Sequence, residues 1–218
     1  MIPPFDHPRI IEGQATVGAE ILDARIGPID LVMLPVGGGG LSSGVSTYLR
    51  SESPKTKLVC VEPEGAPSLA ESLAAGERVQ LQAIDNFVDG AAVALLGENT
   101  FARLKDNITE PVRLVPENRL CTTLLEFLNH EGIVLEPAGA LAIDALQDLD
   151  PDDIRGKTVV CVVSGGNFDF ERLPEVKERS MRYQGLKKYF LLRLPQRPGA
   201  LKEFCLLYTS PSPRDTSS

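Results

Sequence analysis

Residues 31–44 read LVMLPVGGGGLSSG, an apolar run that ends in four consecutive glycines. An apolar run of this length predicts a strand that is buried on both faces of a parallel sheet. Helical spacing of apolar residues then resumes at Leu41, Val45 and Leu49. A glycine loop between a buried strand and a helix favours an anion, because free backbone N–H groups and the helix dipole point toward it. We therefore predict that this loop binds a phosphate group.

Two phosphate-binding motifs partly match the loop. A P-loop requires a lysine directly after its glycines, and none follows before Lys55, so this motif is excluded. The dinucleotide fingerprint is approximated from Gly37 or Gly38, and Glu62 stands where its acidic residue is expected. A nicotinamide or flavin site therefore stays open as an alternative.

A third motif is the nucleophile elbow of hydrolases, because Gly40-Leu41-Ser42-Ser43-Gly44 fits Gly-x-Ser-x-Gly. It would make Ser42 the nucleophile and His130, the one histidine downstream, the base. We expect His130 to be solvated on an amphipathic helix, so a hydrolase is the weaker alternative. A flexible linker is disfavoured, because linkers are not flanked by a buried strand and an apolar helix.

Composition limits the class of protein and its partners. The 218 residues suffice for one sizeable core, or one core with a small appendage. The net charge of −8 argues against nucleic acid and anionic membrane surfaces as partners. The cysteines are isolated in sequence, at Cys60, Cys121, Cys161 and Cys205, which predicts reduced thiols in a cytoplasmic protein. With two histidines and no Cys/His cluster, we expect no metal site.

The order of predicted elements is that of a parallel α/β sheet. Strands are predicted at 31–36, 57–62, 111–115 and 157–163, and helices at 14–22, 42–50, 67–75, 119–131 and 138–146. Ligands of such sheets bind at the carboxyl ends of the strands. The glycine loop and Ser164-Gly165-Gly166-Asn167, which follows the last of these strands, are therefore expected to face one crevice.

The pattern changes after Glu171. Residues 173–186 predict a charged, mostly helical connector, which is followed by a strand at 189–194 and a helix at 200–207. We interpret residues 187–207 as the start of a second domain. Residues 208–218 contain serine, proline and charged residues without apolar periodicity, which predicts a disordered tail, and we interpret this tail as non-native.

Five segments occur in the order found in one enzyme family. They are Pro3-Pro4-Phe5-Asp6-His7-Pro8, Gly13-Gln14-Ala15-Thr16, Pro35-Val36-Gly37-Gly38-Gly39-Gly40-Leu41, Glu136-Pro137-Ala138-Gly139-Ala140 and Ser164-Gly165-Gly166-Asn167. Together they resemble the threonine dehydratases (threonine ammonia-lyases), pyridoxal-phosphate enzymes of the tryptophan-synthase-β fold type, or fold type II. The resemblance runs from the first residue to about Phe204.

The resemblance implies an α/β fold with a parallel sheet and helices on both faces. Residues 1–172 would be the carboxyl half of a catalytic domain. The turn Arg197-Pro198-Gly199-Ala200-Leu201 resembles the opening of an ACT-like α+β regulatory domain, which in biosynthetic threonine dehydratases usually binds isoleucine.

The resemblance also implies which residues hold the cofactor, pyridoxal 5'-phosphate. Backbone amides of Gly37, Gly38, Gly39, Gly40 and Leu41 would bind its phosphate, and the hydroxyl of Ser164 its pyridine nitrogen. A serine at that place leaves the nitrogen largely unprotonated, which suits β-elimination of water over transamination. A helix N-cap is the alternative role for Ser164. Asp89-Gly90 and Glu136 match further family segments near the ring.

The family's Schiff-base lysine lies in a Ser-x-Lys-x-Arg segment and abstracts the α-proton. No lysine of this chain has that setting, and the Ser-Gly-Asn-His loop that holds the substrate carboxylate is absent. We therefore expect no catalytic residue in this chain, and no activity. The full-length protein of which it would be a part is expected to convert L-threonine to 2-oxobutanoate and ammonia. Some relatives bind a divalent metal through two carboxylates, at the positions of Glu62 and Ser68, and the serine breaks that pair.

Two further functions stay open. Serine dehydratases, serine racemases and hydroxyaspartate dehydratases share the fold, and a non-catalytic module that binds pyridoxal phosphate or phosphate would explain the loops without a lysine. The ACT-like opening favours a regulated biosynthetic threonine enzyme with isoleucine as effector. The family further implies an amino acid as the small-molecule substrate and a homo-oligomeric assembly.

Overall fold

The computed structural model describes residues 3–209, which fall into two compact units divided between Leu186 and Lys187. Strands and helices alternate in the first unit. The strands are β1 (Leu31–Pro35), β2 (Lys57–Pro63), β3 (Arg113–Val115) and β4 (Val159–Cys161). The helices are α1 (Pro8–Asp23), α2 (Gly40–Glu52), α3 (Ser68–Ala75), α4 (Glu98–Asn107), α5 (Glu117–Glu126), α6 (Pro137–Asp144), α7 (Pro151–Ile154) and α8 (Leu173–Tyr183).

The strands form one parallel sheet in the order β3-β2-β1-β4. Strand β1 is paired on both sides, with Leu31 opposite Lys57 of β2 and opposite Val159 of β4. Strand β3 pairs with the end of β2, where Val61 lies opposite Arg113. Because all pairs are parallel, the carboxyl ends of the strands gather at one edge of the sheet. The predicted parallel α/β fold is confirmed.

Helices cover both faces of this sheet. Met33 of β1 belongs to a core that includes Leu141 of α6, whereas its neighbour Val32 belongs to a second core that includes Val45 of α2. Successive residues of a strand point to opposite faces, so each face of β1 packs against its own helices. Every residue of β1 is buried, which explains why the strand has no polar position.

Strand β4 is shorter and less buried than the predicted strand 157–163. Within the described residues it is paired on one side only, with β1, and Val159, Val160 and Cys161 are half-buried. The pairing continues one bond further, because the N–H of Val162 donates to the carbonyl of Met33 (3.0 Å). Cys161 is therefore a half-buried thiol of this strand that packs against the first core.

The remaining cysteines lie in two different settings. Cys60 and Cys121 are buried, and Cys205 is exposed. Burial raises the pKa of Cys121 to about 12 and that of Cys161 to about 11. These two thiols are therefore poor nucleophiles at neutral pH.

Several helical features differ from the predictions, since α1 begins at Pro8 instead of residue 14 and α7 is not predicted. The helix predicted at 119–131 begins at Glu117 and changes at Phe127 into a π-helical turn, Phe127–Glu131, which ends at Gly132 in the left-handed region (φ +67°). The sequence does not predict α4, whose start is capped from far away. The carboxylate of Asp6 accepts hydrogen bonds from the first amides of α4, those of Glu98, Asn99 and Thr100 (2.9, 2.9 and 3.1 Å).

The second unit is described from Lys187 to Thr209. Helix α9 (Ala200–Thr209) begins at the predicted residue and continues two residues beyond the predicted end. The strand predicted at 189–194 is not formed, since no other described segment pairs with it and supplies its backbone hydrogen bonds. Residues 210–218 of the predicted tail lie outside the described residues. The assignment of this unit to an ACT-like domain stays a prediction.

Among residues 3–209, no helix combines the length and the apolar composition that crossing a bilayer requires.

Candidate functional site

A cavity of about 330 Å³ lies at the carboxyl ends of β1 and β4. All six residues that are predicted to contact the cofactor line it: Gly37, Gly38, Gly39, Gly40, Leu41 and Ser164. The two loops meet because β1 and β4 are adjacent parallel strands, so that their following loops leave the same edge of the sheet. The volume is within the range of small-molecule sites, roughly 300–1,000 Å³.

The glycine loop forms the end of the cavity where α2 begins. Gly39 is the N-cap of α2 and adopts the left-handed conformation (φ +85°), which other residues rarely adopt. A Cβ on Gly37 would come within 2.8 Å of the Cα of Ala91, and a Cβ on Gly38 would overlap the ring of Phe5. Side chains are therefore excluded from this loop both by conformation and by close neighbours.

The glycine loop offers hydrogen-bond donors that the protein itself does not use. Within the described residues, the backbone N–H groups of residues 37–41 donate to no backbone carbonyl. Helix α2 has no acidic residue in its first turn, and its N-cap has no side chain to accept a hydrogen bond. Free amides at a helix N-terminus are complementary to a phosphate group. The loop therefore fits the phosphate of pyridoxal phosphate.

Ser164 lies in the loop that follows β4, and its position is set by α6. A Cβ on Gly139 of α6 would overlap the carbonyl oxygen of Ser164, so glycine permits this close approach. The N–H of Glu136 donates to the carbonyl of Gly165 (3.2 Å), which fixes the loop from the same side. The next helical turn begins only at Phe170, so the alternative role of Ser164 as a helix N-cap is wrong. A hydroxyl there can pair with a pyridine nitrogen.

Glu136 is the ionisable side chain among the residues that line the cavity. It lies between Gly90 and Gly165, and a Cβ on Gly90 would come within 3.2 Å of its Oε1. Burial raises the pKa of Glu136, and the nearby carboxylate of Asp89 adds to that shift. The carboxyl can therefore hold a proton at higher pH than an exposed glutamate. The assignment of Glu136 to a place near the cofactor ring stays a prediction.

The hydrolase alternative is not supported by the positions of Ser42 and His130. The hydroxyl of Ser42 is buried and donates to the carbonyl of Pro35 (2.5 Å). His130 lies on the π-helical turn and lines a separate surface pocket with Phe127 and Ile133. Ser42 is therefore occupied in anchoring α2 to the end of β1.

Glu62 is equally unavailable for a ribose or a metal. It is fully buried, and its two carboxylate oxygens accept hydrogen bonds from the N–H groups of Leu69 (2.7 Å) and Ala70 (2.9 Å) and from the hydroxyl of Ser68 (3.2 Å). These bonds cap the first turn of α3. Burial raises the pKa of Glu62 to about 7, although the three hydrogen bonds act in the opposite direction.

The structure adds a support for the glycine loop that the sequence does not reveal. The hydroxyl of Thr100 in α4 donates to the carbonyl of Gly38 (2.9 Å), and the hydroxyl of Ser43 donates to the carbonyl of Thr100 (3.1 Å). Asp6 caps α4, and its neighbour Phe5 packs against Gly38 and Gly40. The segment Pro3-Pro4-Phe5-Asp6 is part of the resemblance. Its support of the glycine loop through α4 depends on contacts between residues more than 90 positions apart in sequence.

The chain is similar to known proteins over most of its length. The family model for pyridoxal-phosphate dependent enzymes matches residues 1–165. A biosynthetic L-threonine dehydratase, IlvA, of Halalkalibacterium halodurans is 52% identical over 205 residues, which cover 94% of this chain and 49% of that protein. The protein of the same name from Bacillus subtilis is also 52% identical, over 93% of this chain and 48% of its own length.

Solved structures give the same result for the fold. The processed form of threonine deaminase isoform 2 from Solanum lycopersicum superimposes with a TM-score of 0.74 at 38% identity, over 82% of this chain and 52% of that one. Maize serine racemase superimposes with a TM-score of 0.72 at 29% identity, over 82% and 55% of the two chains. The present chain spans about half the length of the curated relatives that it matches.

Proposed function

This chain belongs to the family of pyridoxal-phosphate dependent enzymes, and on that premise we propose that the whole protein deaminates L-threonine to 2-oxobutanoate and ammonia. The observation that carries the proposal is the glycine loop, whose free amides at the start of α2 suit the cofactor phosphate. The substrate is taken from the similarity to proteins named L-threonine dehydratase. The overall reaction removes the α-proton and the β-hydroxyl of threonine as water, and takes up one water as ammonia leaves.

We propose separate roles for the two loops that line the cavity. Residues 37–41 hold the phosphate through backbone amides, and Ser164 pairs with the pyridine nitrogen. Bound pyridoxal phosphate supplies an electron sink for the carbon that carries the amino group. Because a serine hydroxyl does not donate a full proton to the ring nitrogen, this arrangement favours loss of the β-hydroxyl over transamination.

No lysine lines the cavity within the described residues. We therefore expect the 218-residue chain to bind pyridoxal phosphate without deaminating threonine. Glu136 holds a proton near the ring in this proposal, but a carboxyl group cannot replace the amine that bonds to the cofactor.

The test measures binding of pyridoxal phosphate by the 218-residue chain and by two variants of α2. Leu41→Asp places a carboxylate in the first turn, where it favours the helix dipole but repels a phosphate. We expect the dissociation constant to rise at least tenfold. Ser51→Asp adds the same charge at the far, exposed end of the helix and should leave the constant within twofold. Equal affinities of Leu41→Asp and the unchanged chain would refute the phosphate site.

A second measurement tests the substrate. We expect the whole protein to release 2-oxobutanoate from L-threonine faster than pyruvate from L-serine. Faster release of pyruvate, or formation of D-serine, would favour the serine dehydratase or racemase alternative. Formation of 2-oxobutanoate by the pure 218-residue chain would contradict the expected inactivity of this chain.

We also propose that the whole protein is a cytoplasmic homo-oligomer whose effector is isoleucine. The resemblance of the turn Arg197-Pro198-Gly199-Ala200-Leu201 to an ACT-like opening supports the effector, the family resemblance supports the oligomer, and the isolated cysteines support the location. Isoleucine should then lower the affinity of the whole protein for L-threonine. Unchanged kinetics at saturating isoleucine would contradict this part of the proposal.

A further inference from the structure

One wall of the cavity is built from an irregular segment. Residues 77–97 contain neither helix nor strand, yet Gly90 and Ala91 line the cavity. Residues 90 and 91 pack between the glycine loop and α6. A Cβ on Gly37 would come within 2.9 Å of the carbonyl oxygen of Gly90, and a Cβ on Gly90 within 2.9 Å of the Cβ of Ala138. A small displacement of residues 90–91 would therefore change the width of the cavity.

Few backbone hydrogen bonds hold the segment that leads to this wall. The N–H of Asp85 donates to the carbonyl of Gly65 (2.9 Å), and the N–H of Ala91 donates to the carbonyl of Val88 (2.8 Å). Between them, the N–H of Phe87 donates to the carboxylate of Asp85 (2.8 Å). These bonds shape residues 85–91 locally. Of the three, only the bond from Asp85 to Gly65 joins them to a distant segment, the loop that follows β2.

The side chain of Phe87 is buried and is held between two arginines. The guanidinium carbons of Arg172 and Arg179 lie 4.9 and 4.2 Å from the centre of its ring, within cation–π distance. Arg172 also donates to the carbonyl of Phe87 (2.7 Å). We call these three residues the arginine clamp. Arg172 is the N-cap of α8 and Arg179 lies within the helix seven residues later, so that about two helical turns bring both arginines to one side.

Acidic residues at both ends of the segment complete the contact. Arg172 lies 3.6 Å from the carboxylate of Asp89, and Arg179 lies 3.8 Å from that of Asp85. Glu175 of α8 pairs with Arg179 (2.9 Å) and lies 3.9 Å from Arg172. The two arginines are therefore held in place by α8 and in turn hold residues 85–89.

Helix α8 is itself anchored to the core of the first unit. Val176 is buried in the same core as Phe87, and the hydroxyl of Ser180 lies 2.9 Å from that of Thr122 in α5. The clamp thus connects an irregular loop to a fixed helix.

We infer that Arg172 and Arg179 are positioning residues for the cofactor, which hold Gly90 and Ala91 in place through Phe87, Asp85 and Asp89. The inference deepens the proposed function, because it assumes that the cavity binds pyridoxal phosphate. Neither arginine lines the cavity, so each acts through the loop.

The test uses the 218-residue chain and replaces each arginine by methionine, which keeps an apolar stem and removes the charge. We expect Arg172→Met and Arg179→Met each to raise the dissociation constant of pyridoxal phosphate about tenfold. The double variant should exceed either single variant by less than tenfold, because both act on one loop. Arg182→Met is the matched control, since Arg182 is an exposed residue of the same helix. Its affinity should stay within twofold of the unchanged chain.

Hydrogen exchange separates positioning from a general loss of structure. In both methionine variants we expect the amides of residues 86–91 to exchange at least tenfold faster, while the amides of β1 exchange at an unchanged rate. Arg179→Lys retains a cation over the ring and should restore slow exchange to within threefold.

Three outcomes would overturn the inference. They are unchanged exchange in residues 86–91, equal acceleration in β1, and an unchanged dissociation constant in a chain whose loop exchanges faster. If the unchanged chain does not bind pyridoxal phosphate, the proposed function fails, and the inferred role in cofactor binding fails with it. Faster exchange confined to residues 86–91 in the methionine variants would then show only that the two arginines hold this loop in place.

Discussion

Gly139 is the residue at which the smallest change should have the largest effect on the cavity. A methyl group there would overlap the carbonyl oxygen of Ser164, so Gly139→Ala forces α6 and the Ser164 loop apart. We expect the free energy of unfolding to fall by about 1–3 kcal/mol, the usual range for overpacking a close contact. Urea unfolding followed by circular dichroism measures the change.

Gly13→Ala is the control for this substitution. Gly13 lies in α1 with no atom near enough to meet a Cβ, so alanine should stabilise the chain by about 0.5–1 kcal/mol through helix propensity. The loss in Gly139→Ala should also be accompanied by weaker binding of pyridoxal phosphate. A neutral or stabilising Gly139→Ala would show that the Ser164 loop adjusts freely.

The sequence predicts which residues line the cavity better than it predicts which other residues contact them. Residues 37–41 and Ser164 could be assigned to one crevice, because motifs at the ends of parallel strands must share an edge of the sheet. The contact of Gly139 with Ser164 and the hydrogen bond from Thr100 to Gly38 could not be predicted. Both depend on how helices pack onto the sheet, and no local pattern specifies that.

Among the elements, α3 depends on a cap that comes from a neighbouring strand. Its N-cap, Pro67, makes no side-chain hydrogen bond, and Glu62 of β2 accepts the helix amides instead. Burial raises the pKa of Glu62 from its ordinary value of 4.5 to about 7. The folded chain therefore keeps this proton to a higher pH than the unfolded chain does. Between the two pKa values, folding becomes less favourable as the pH rises.

We expect Glu62 to lower the free energy of unfolding by at most about 3 kcal/mol between pH 4.5 and pH 7.5, with no further change above that. The measurement is urea unfolding at a series of pH values, for the unchanged chain and for Glu62→Gln. The difference between the two chains isolates this group from all other titrating residues. Parallel curves over this range would mean that the carboxylate is as stable in the fold as in water.

The elements that differ from the predictions lack partners or have distant ones. Strand β4 is short because it is paired on one side within the described residues, and residues 189–194 form no strand because no described segment pairs with them. Helix α4 escapes prediction because its capping residue, Asp6, lies more than 90 residues earlier. Periodicity reports which face of an element is apolar, but it does not report whether a neighbour is present.

For the whole molecule, the division into two units leads to a prediction about truncation. All described strands belong to the first unit, and none of the three apolar cores includes a residue beyond Leu186. The second unit carries exposed apolar side chains, among them Phe190, Leu191 and Leu207. We expect a chain that ends at Leu186 to unfold with a free energy within about 1 kcal/mol of the 218-residue chain and to be more soluble.

Unfolding in urea and sedimentation at increasing protein concentration test both parts. A large loss of stability on truncation would mean that the second unit contributes to the first unit's fold. Unchanged solubility would mean that its apolar side chains are covered in solution.

The pairing of β1 with β4 also determines when the cavity can form during synthesis of the chain. It joins Met33 to Cys161, residues separated by 128 positions. The glycine loop and β2 leave the ribosome before β4, and Ser164 follows the loop by roughly 120 residues, or about 6–25 seconds at ordinary rates of synthesis. During that interval the first half of the cavity exists without the second. Such late, non-local pairing slows folding, so a chaperone or an early-bound anion that shields the glycine loop should raise the yield of the native protein.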